Sequence, residues 1–435
     1  LAVAGGLVLI RWLYWGILAI VGVALFVPLR IGTGTQVTLN GTTLLVGAVL
    51  GLWFLAMVRQ QRVHLVPSRT NAPLLLFLIL GLFSLAIGIA LWDPAVPRSG
   101  NFTLVQLAQW AIFALSAGAF WLTGNLTQDE GELQRLTFLF LLMGGGLAIA
   151  RTLPGVERLL AHLVTFALYR APFWTLLTAL ALGQLLFNRN LSARWRVYLV
   201  GVLAAVILYA FADQKEAASN WVGVATVTGL LMWFRWPRLR WFVVGMAFIG
   251  LIAFGPGLWE FAGGEAEWEE SGGSRLVLIG RVVEVTMHNP ITGLGPAAYR
   301  SYARMKPLAY QGAYWLEPQV NSHNNYVDLF SHVGLVGLAL FFWFALWAVG
   351  VGMRLRHLFK GDFAAGYING MLAGWVASLV IMMLADWMLP FVYNIGFDGF
   401  QASVLVWLFL GGLVAFEQIA RRQSLQVESV DEFSI

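Results

Sequence analysis

Long apolar runs, separated by short polar or basic segments, constrain this chain more than any other feature. A helix needs about 20 consecutive apolar residues to cross a bilayer. Of the 435 residues, 59% are hydrophobic and only 11% are charged, whereas a soluble domain carries about 25% charged residues. The sequence therefore predicts an all-α polytopic membrane protein.

Twelve segments are predicted to be transmembrane helices. Most are bounded by Arg, Pro or polar clusters, and many have Trp or Tyr near an end, as membrane interfaces favour. The predicted spans are residues 12–29, 43–58, 73–92, 104–124, 133–150, 172–188, 196–212, 219–235, 241–259, 326–353, 364–388 and 402–419.

The distribution of Lys and Arg predicts the orientation, because cytoplasmic loops carry an excess of both. With the N-terminus in the cytoplasm, the basic clusters fall in the inner loops and both termini are cytoplasmic. The inner basic residues are Arg59, Arg62, Arg69, Arg189, Arg194, Arg196, Arg235, Arg238, Arg240, Arg354, Arg356, Lys360, Arg421 and Arg422.

One predicted outer loop, residues 260–325, is long, polar and rich in Trp, Tyr and Leu. Because long loops in compact proteins are functional or disordered, we expect this loop to form a folded mini-domain. It would separate transmembrane helices one to nine (1–259) from helices ten to twelve and a cytoplasmic tail (326–435). Residues 275–287 predict a helix with an apolar stripe of Leu276, Ile279, Val283 and Met287. Pro and Gly in "HNPITGLGP" end that helix.

His323 lies just before the tenth predicted span, at the outer rim. A histidine with a pKa near 6.5 can accept a proton from a hydroxyl at neutral pH. The helix that follows would keep its ring neutral. The simpler interpretation is a polar residue at the helix entry, with Asn324 or Asn325 as the N-cap.

Four further residues of the tenth span are candidate supporting residues. His332 lies deeper in the predicted membrane, where ionisable residues are functional candidates, but Asp328 is four residues before it. That spacing also fits a buried polar pair. Gly334 and Gly337 are predicted to be small residues that let helices approach closely.

Arg275 and Arg281 are candidate ligands of a phosphate, because a guanidinium group is a planar fork that matches phosphate oxygens. Glu284 follows Arg281 by three residues, so a solvated ion pair is the alternative for Arg281. No metal site is predicted: the chain has no cysteine, and no histidine accompanies the acidic run at 265–270 at ligand spacing.

Residues 323–337, "HNNYVDLFSHVGLVG", resemble the signature of the O-antigen ligases and their polymerase relatives. That signature is His, then Asn, Ser or Gln, then nine residues and Gly-x-x-Gly, here His323, Asn324, Gly334 and Gly337. The stretch "SGGSRLVLIGRVVEVTMHNPITGLGPAAY" is also similar to the family, and Arg275 falls on the family arginine. The twelve predicted spans and the large loop before the signature match as well.

The resemblance implies a glycosyltransferase of the bacterial inner membrane whose active site faces the periplasm. The donor would be a glycan on undecaprenyl diphosphate, and the acceptor a hydroxyl of lipid A-core or of another glycan. His323 would deprotonate or orient the acceptor hydroxyl, and Arg275 with Arg281 would hold the diphosphate. The family often has an arginine in the short outer loop where this chain has Lys215. No cofactor, metal or nucleic-acid partner is implied, and membrane lipids surround the chain.

Three other functions remain open at this point. The polymerase branch of the same superfamily joins repeat units, and a protein O-glycosyltransferase uses a protein acceptor. A transporter or flippase for a polysaccharide lipid would move the glycolipid without forming a bond. Transporters often have duplicated halves and charges at mid-membrane, whereas here the polar residues gather at the outer rim and no repeat is visible.

Overall fold

The structure is a computed structural model that describes residues 13–35, 37–62, 64–156, 160, 162–213, 218–263, 275–305, 308–310, 313–315 and 322–432. The helices are α1 (Leu13–Phe26), α2 (Gly41–Arg59), α3 (Asn71–Ala90), α4 (Phe102–Leu126), α5 (Glu130–Arg151), α6 (Ala171–Phe187), α7 (Ala193–Leu208), α8 (Ala218–Arg235), α9 (Arg240–Gly263), α10 (Arg275–Thr286), α11 (Tyr299–Arg304), α12 (Asn325–Leu358), α13 (Phe363–Ile381) and α14 (Gly396–Glu432). Two small antiparallel hairpins pair β1 (Arg30–Gly32) with β2 (Thr38–Asn40) and β3 (Leu308–Tyr310) with β4 (Ala313–Trp315).

The predicted class, an all-α membrane protein, is confirmed. In the described part of the chain, 8 helices are long and apolar enough to cross a membrane, namely α2, α3, α4, α5, α7 with its π-helical end, α12, α13 and α14. The apolar helices α1 and α6 are shorter. Each predicted segment overlaps a helix, but the count of twelve spans stays a prediction.

Helix α14 forms the centre of the bundle: residues 399–417 within it are all buried. α4 packs along α14, and α6 and α8 pack along α13. Glycines allow these close contacts. A Cβ atom at Gly411 would lie 2.1 Å from the carbonyl oxygen of Phe120. Small residues at helix interfaces let backbones approach in this way.

Apolar side chains also cover the outside of the bundle. Phe54 is 59% exposed, Val197 75% and Trp241 77%. Such a surface would be unfavourable in water, because exposed apolar area is kept small in soluble proteins. It is the surface expected of helices that face lipid.

Helix α12 is broken at Gly334, which has φ 68° and ψ −171°. The loop 290–297 fills the break. The N–H groups of Leu335 and Val336 donate to carbonyl oxygens of that loop at 2.9 and 3.2 Å, and Leu294 N–H donates to the Ser331 carbonyl at 2.9 Å. The predicted role of Gly334 as a simple helix-packing residue is therefore wrong, because the residue provides a conformation and a contact that only glycine allows.

Gly337 keeps its predicted close contact, since a Cβ atom there would lie 2.2 Å from the Val333 side chain and 3.3 Å from Leu80.

Helix α10 forms where the sequence predicts it, and it packs against α9, α11 and α12. Its buried face is Leu278, Val282 and Val285. The predicted apolar stripe is not this buried face, because Leu276 is 51% exposed and Met287 60%. In a membrane protein an apolar stripe does not identify the inner face, since lipid accepts apolar side chains as well.

Two predicted boundaries also change. Residue 259 falls inside α9, which continues to Gly263. The eleventh predicted span, 364–388, ends too late, because α13 stops at Ile381 and a non-helical segment of residues 382–395 follows. The described part of the predicted 260–325 loop contains α10, α11 and the β3–β4 hairpin, whereas the acidic run at 265–270 lies outside the described residues.

The break in α12 gives a direct test. Gly334→Ala should lower the stability of the folded protein by more than about 3 kcal/mol, because this backbone conformation excludes a side chain. Its Cβ would lie 2.1 Å from the Ile291 carbonyl oxygen. The measurement is the melting temperature in detergent, followed by fluorescence-detected gel filtration.

Gly350→Ala, in the same helix, is the matched control. Its Cβ would meet only Trp347, at 3.8 Å. A stability change of about 1 kcal/mol or less, in the stabilising direction, is expected. Equal melting temperatures of the two variants would contradict the described break.

Candidate functional site

Three consecutive main-chain carbonyl groups just after α13, those of residues 382–384, accept hydrogen bonds from residues of the predicted site. The first accepts the main-chain N–H of Asn325 at 2.9 Å. The second accepts Nδ2 of Asn324 at 3.0 Å, and the third accepts Nη1 of Arg275 at 2.8 Å. These carbonyl groups follow Ile381, the last residue of α13, so the hydrogen bonds within the helix do not use them. This helix end therefore brings the start of α10 next to the start of α12.

Asn324 is the N-cap of α12, as the sequence predicted. Its Oδ1 accepts the N–H groups of Tyr326 and Val327 at 3.0 and 3.3 Å. His323, just before it, has φ 48°, in the left-handed region that residues with a Cβ seldom adopt. The cap and this backbone conformation fix the position of the imidazole at the mouth of α12.

The structure brings His323 and Arg275 together, as predicted. His323 is partly buried. Burial, and then the positive charge of Arg275, lower the pKa of His323 to about 3. The ring is neutral at physiological pH, as expected. It is, however, a much weaker base than the ordinary imidazole on which the sequence prediction was built.

Asp328 supports the backbone around His323. It is 2% exposed, and its Oδ1 accepts hydrogen bonds from Ser322 Oγ at 2.6 Å and from Tyr299 Oη at 3.1 Å. Ser322 Oγ also lies 2.9 Å from the Asn324 carbonyl oxygen. The carboxylate thus connects the residues on both sides of His323 to α11.

His332 lies deeper and fixes the loop that fills the break. Its Nδ1 accepts the main-chain N–H of Ala297 at 3.1 Å, so the neutral ring carries its proton on Nε2. The ring packs beside Tyr299 and Phe391, whose centroids are 5.7 and 5.6 Å away and which stack on each other at 4.8 Å. Among the described residues no hydrogen bond joins His332 to Asp328. The predicted polar pair is therefore not made, because each side chain has its own partners.

Of the other two predicted phosphate ligands, only Arg281 is among the described residues. Arg281 Nη1 forms an ion pair with Glu284 at 2.8 Å, the alternative that the sequence suggested. Lys215 lies outside the described residues. Arg275 is the predicted cation whose charge acts on His323.

Sequence reasoning missed the segment 382–395 and its acid. Asp386 accepts the N–H of Phe391 at 2.8 Å and Nδ2 of Asn394 at 2.7 Å. Burial raises its pKa. The signal was an aspartate inside the apolar run "MMLADWMLPF", where an ionisable residue needs buried partners.

A scan against protein-family models finds no match, and a search of curated proteins finds no relative. The likeness to the O-antigen ligases therefore depends on the sequence motifs and on the predicted arrangement of spans and loop.

The low pKa of His323 can be measured with isotope-labelled histidine by NMR, in protein embedded in nanodiscs. The chain has 6 histidines, and His323→Gln assigns the resonance. The ring should stay neutral at pH 5, because its pKa is about 3. Arg275→Gln should raise the pKa, since a neutral side chain no longer disfavours the imidazolium. A wild-type titration near pH 6.5 would contradict this geometry.

Proposed function

We propose that this protein transfers a glycan from undecaprenyl diphosphate to an acceptor hydroxyl, as an O-antigen ligase does. The observation that carries the proposal is that the side chains of Arg275 and Asn324 donate hydrogen bonds to neighbouring carbonyl groups of one turn. His323 lies in the chain between Ser322 and Asn324. A base candidate and a phosphate-binding fork thus occupy one place at a helix end.

In the proposed reaction, the acceptor oxygen attacks the anomeric carbon and the bond from that carbon to the diphosphate oxygen breaks. The hydroxyl proton moves to His323. The negative charge that develops on the leaving undecaprenyl diphosphate is stabilised by Arg275, aided by Arg281 and Lys215. Direct attack inverts the anomeric carbon, and guanidinium groups take the role that a metal has in other transferases.

The weak basicity of His323 fits this order of events. Burial, and then the charge of Arg275, lower the pKa of the ring. A bound diphosphate would neutralise that guanidinium and add negative charge, and both effects raise the pKa of a histidine. His323 would therefore become an effective base after the donor binds, which protects the site from premature proton uptake.

Under this proposal the site end of the bundle, where α13 ends and α12 begins, faces the periplasm. The termini lie in the cytoplasm and the membrane is the bacterial inner membrane. The acceptor is lipid A-core or a similar glycolipid, and the polyprenyl chain of the donor lies among membrane lipids.

Reconstituted protein with a polyprenyl-diphosphate-linked glycan and a lipid A-core acceptor tests the chemistry. His323→Ala should lower the transfer rate by about 100-fold or more, because general base catalysis contributes at least that much. Arg275→Lys should lower it at least about 10-fold, since lysine cannot form the fork. His357→Ala, at the far end of α12, is the control and should transfer normally. Full activity of His323→Ala would remove it from the mechanism.

The product of the same reaction separates the remaining functions. A ligase attaches one preformed glycan to the acceptor, whereas a polymerase produces a ladder of lengthening donors without acceptor. A glycosylated protein would indicate a protein transferase. Glycolipid that crosses vesicle membranes without any new glycosidic bond would exclude the transferase proposal.

A further inference from the structure

Arg170, the residue directly before α6, has an unusual environment for an arginine. Its Nε atom is buried and has no hydrogen-bond partner among the described residues. None of the ion pairs found in the described ranges involves Arg170. Asp386 and Asp398 act on its charge, but neither forms an ion pair with it in the described ranges. The absence of a directly hydrogen-bonded counter-charge among the described residues is therefore the feature to explain.

Aromatic rings hold the guanidinium group in place. Its central carbon lies 3.5 Å from the ring centroid of Phe166 and 5.5 Å from that of Trp387. Burial lowers the pKa of Arg170 to about 10, partly offset by the charge of Asp386, so the group remains charged at neutral pH. Stacking fixes the plane of a guanidinium and leaves its N–H edge available to an oxygen ligand.

The position of Arg170 connects it to the candidate site. Arg170 contacts Trp387, and Arg275 donates a hydrogen bond to the carbonyl oxygen of Leu384. Trp387 follows Leu384 by three residues. Consecutive Cα atoms are about 3.8 Å apart, so the Cα atoms of Leu384 and Trp387 are at most about 11 Å apart. Two guanidinium groups from different parts of the chain therefore border one short segment beside His323.

We propose that Arg170 is a second cation of the site and binds the diphosphate of the donor together with Arg275. This inference rests on the proposed function, because it assumes a diphosphate ligand. The oxygens on two phosphorus atoms are spread further apart than those on one, so a diphosphate bridges two separated guanidinium groups more readily than a monophosphate does. The ligand would supply the directly bonded oxygen that Arg170 lacks among the described residues, which gives a physical reason for keeping the residue.

The alternative is that Arg170 serves the fold through its rings and Asp386. The two roles predict different behaviour. A structural arginine stabilises the unliganded protein, so its removal lowers the melting temperature. A ligand-binding arginine without a direct ion pair contributes little before the ligand arrives, and its removal changes the response to the ligand.

Binding of farnesyl diphosphate and farnesyl monophosphate to protein in phosphatidylcholine nanodiscs tests the inference. Wild type should bind the diphosphate at least about 10-fold more tightly, because bidentate charge-assisted contacts are strong. Arg170→Gln should weaken diphosphate binding by about 10-fold or more and change monophosphate binding by less than about 2-fold. The monophosphate also represents the single phosphate of a phospholipid head group.

Arg98→Gln is the matched control, because Arg98 is exposed and also lies over a tryptophan, Trp92, at 5.4 Å. It should behave as wild type. Unchanged diphosphate affinity in Arg170→Gln, with or without a lower melting temperature, would overturn the role of Arg170 and leave glycan transfer standing. Equal affinities of wild type for diphosphate and monophosphate would instead count against both proposals.

Discussion

The arrangement of the site depends on the interrupted hydrogen-bond ladder of α12 at Gly334. Backbone groups left without partners inside a membrane protein cost several kcal/mol each. The loop 290–297 supplies those partners, and His332 binds the same loop through the N–H of Ala297. The loop connects α10 to α11, so the break in α12 also fixes the segment that begins with Arg275. Neither the loop nor the break would be stable without the other.

Charge is distributed unevenly around the candidate site. His323 is kept neutral by burial and by Arg275, while the acids nearby, Asp328 and Asp386, are deeply buried and hydrogen-bonded. Arg275 and Arg170 bring positive charge to the same segment, through Leu384 and Trp387. Under the proposed function, this charge would attract the diphosphate of the donor before any proton moves.

Local rules predicted much of the structure. Apolar runs gave the helices, Asn324 was recognised as an N-cap, and the spacing of Arg281 and Glu284 gave their ion pair. The end of α13 at Ile381 was missed because hydropathy treats an apolar loop buried in protein like a membrane helix. The buried face of α10, the break at Gly334 and the place of Arg170 depend on distant partners, which a one-dimensional pattern does not contain.

The three carbonyl oxygens of residues 382–384 have a consequence for how such a site changes over evolution. Every amino acid has a carbonyl group, so the side chains of this turn can be exchanged while Asn325, Asn324 and Arg275 keep their acceptors. Sequence drift in the turn would leave the geometry intact. Related proteins would then share the turn in three dimensions while their letters there have diverged.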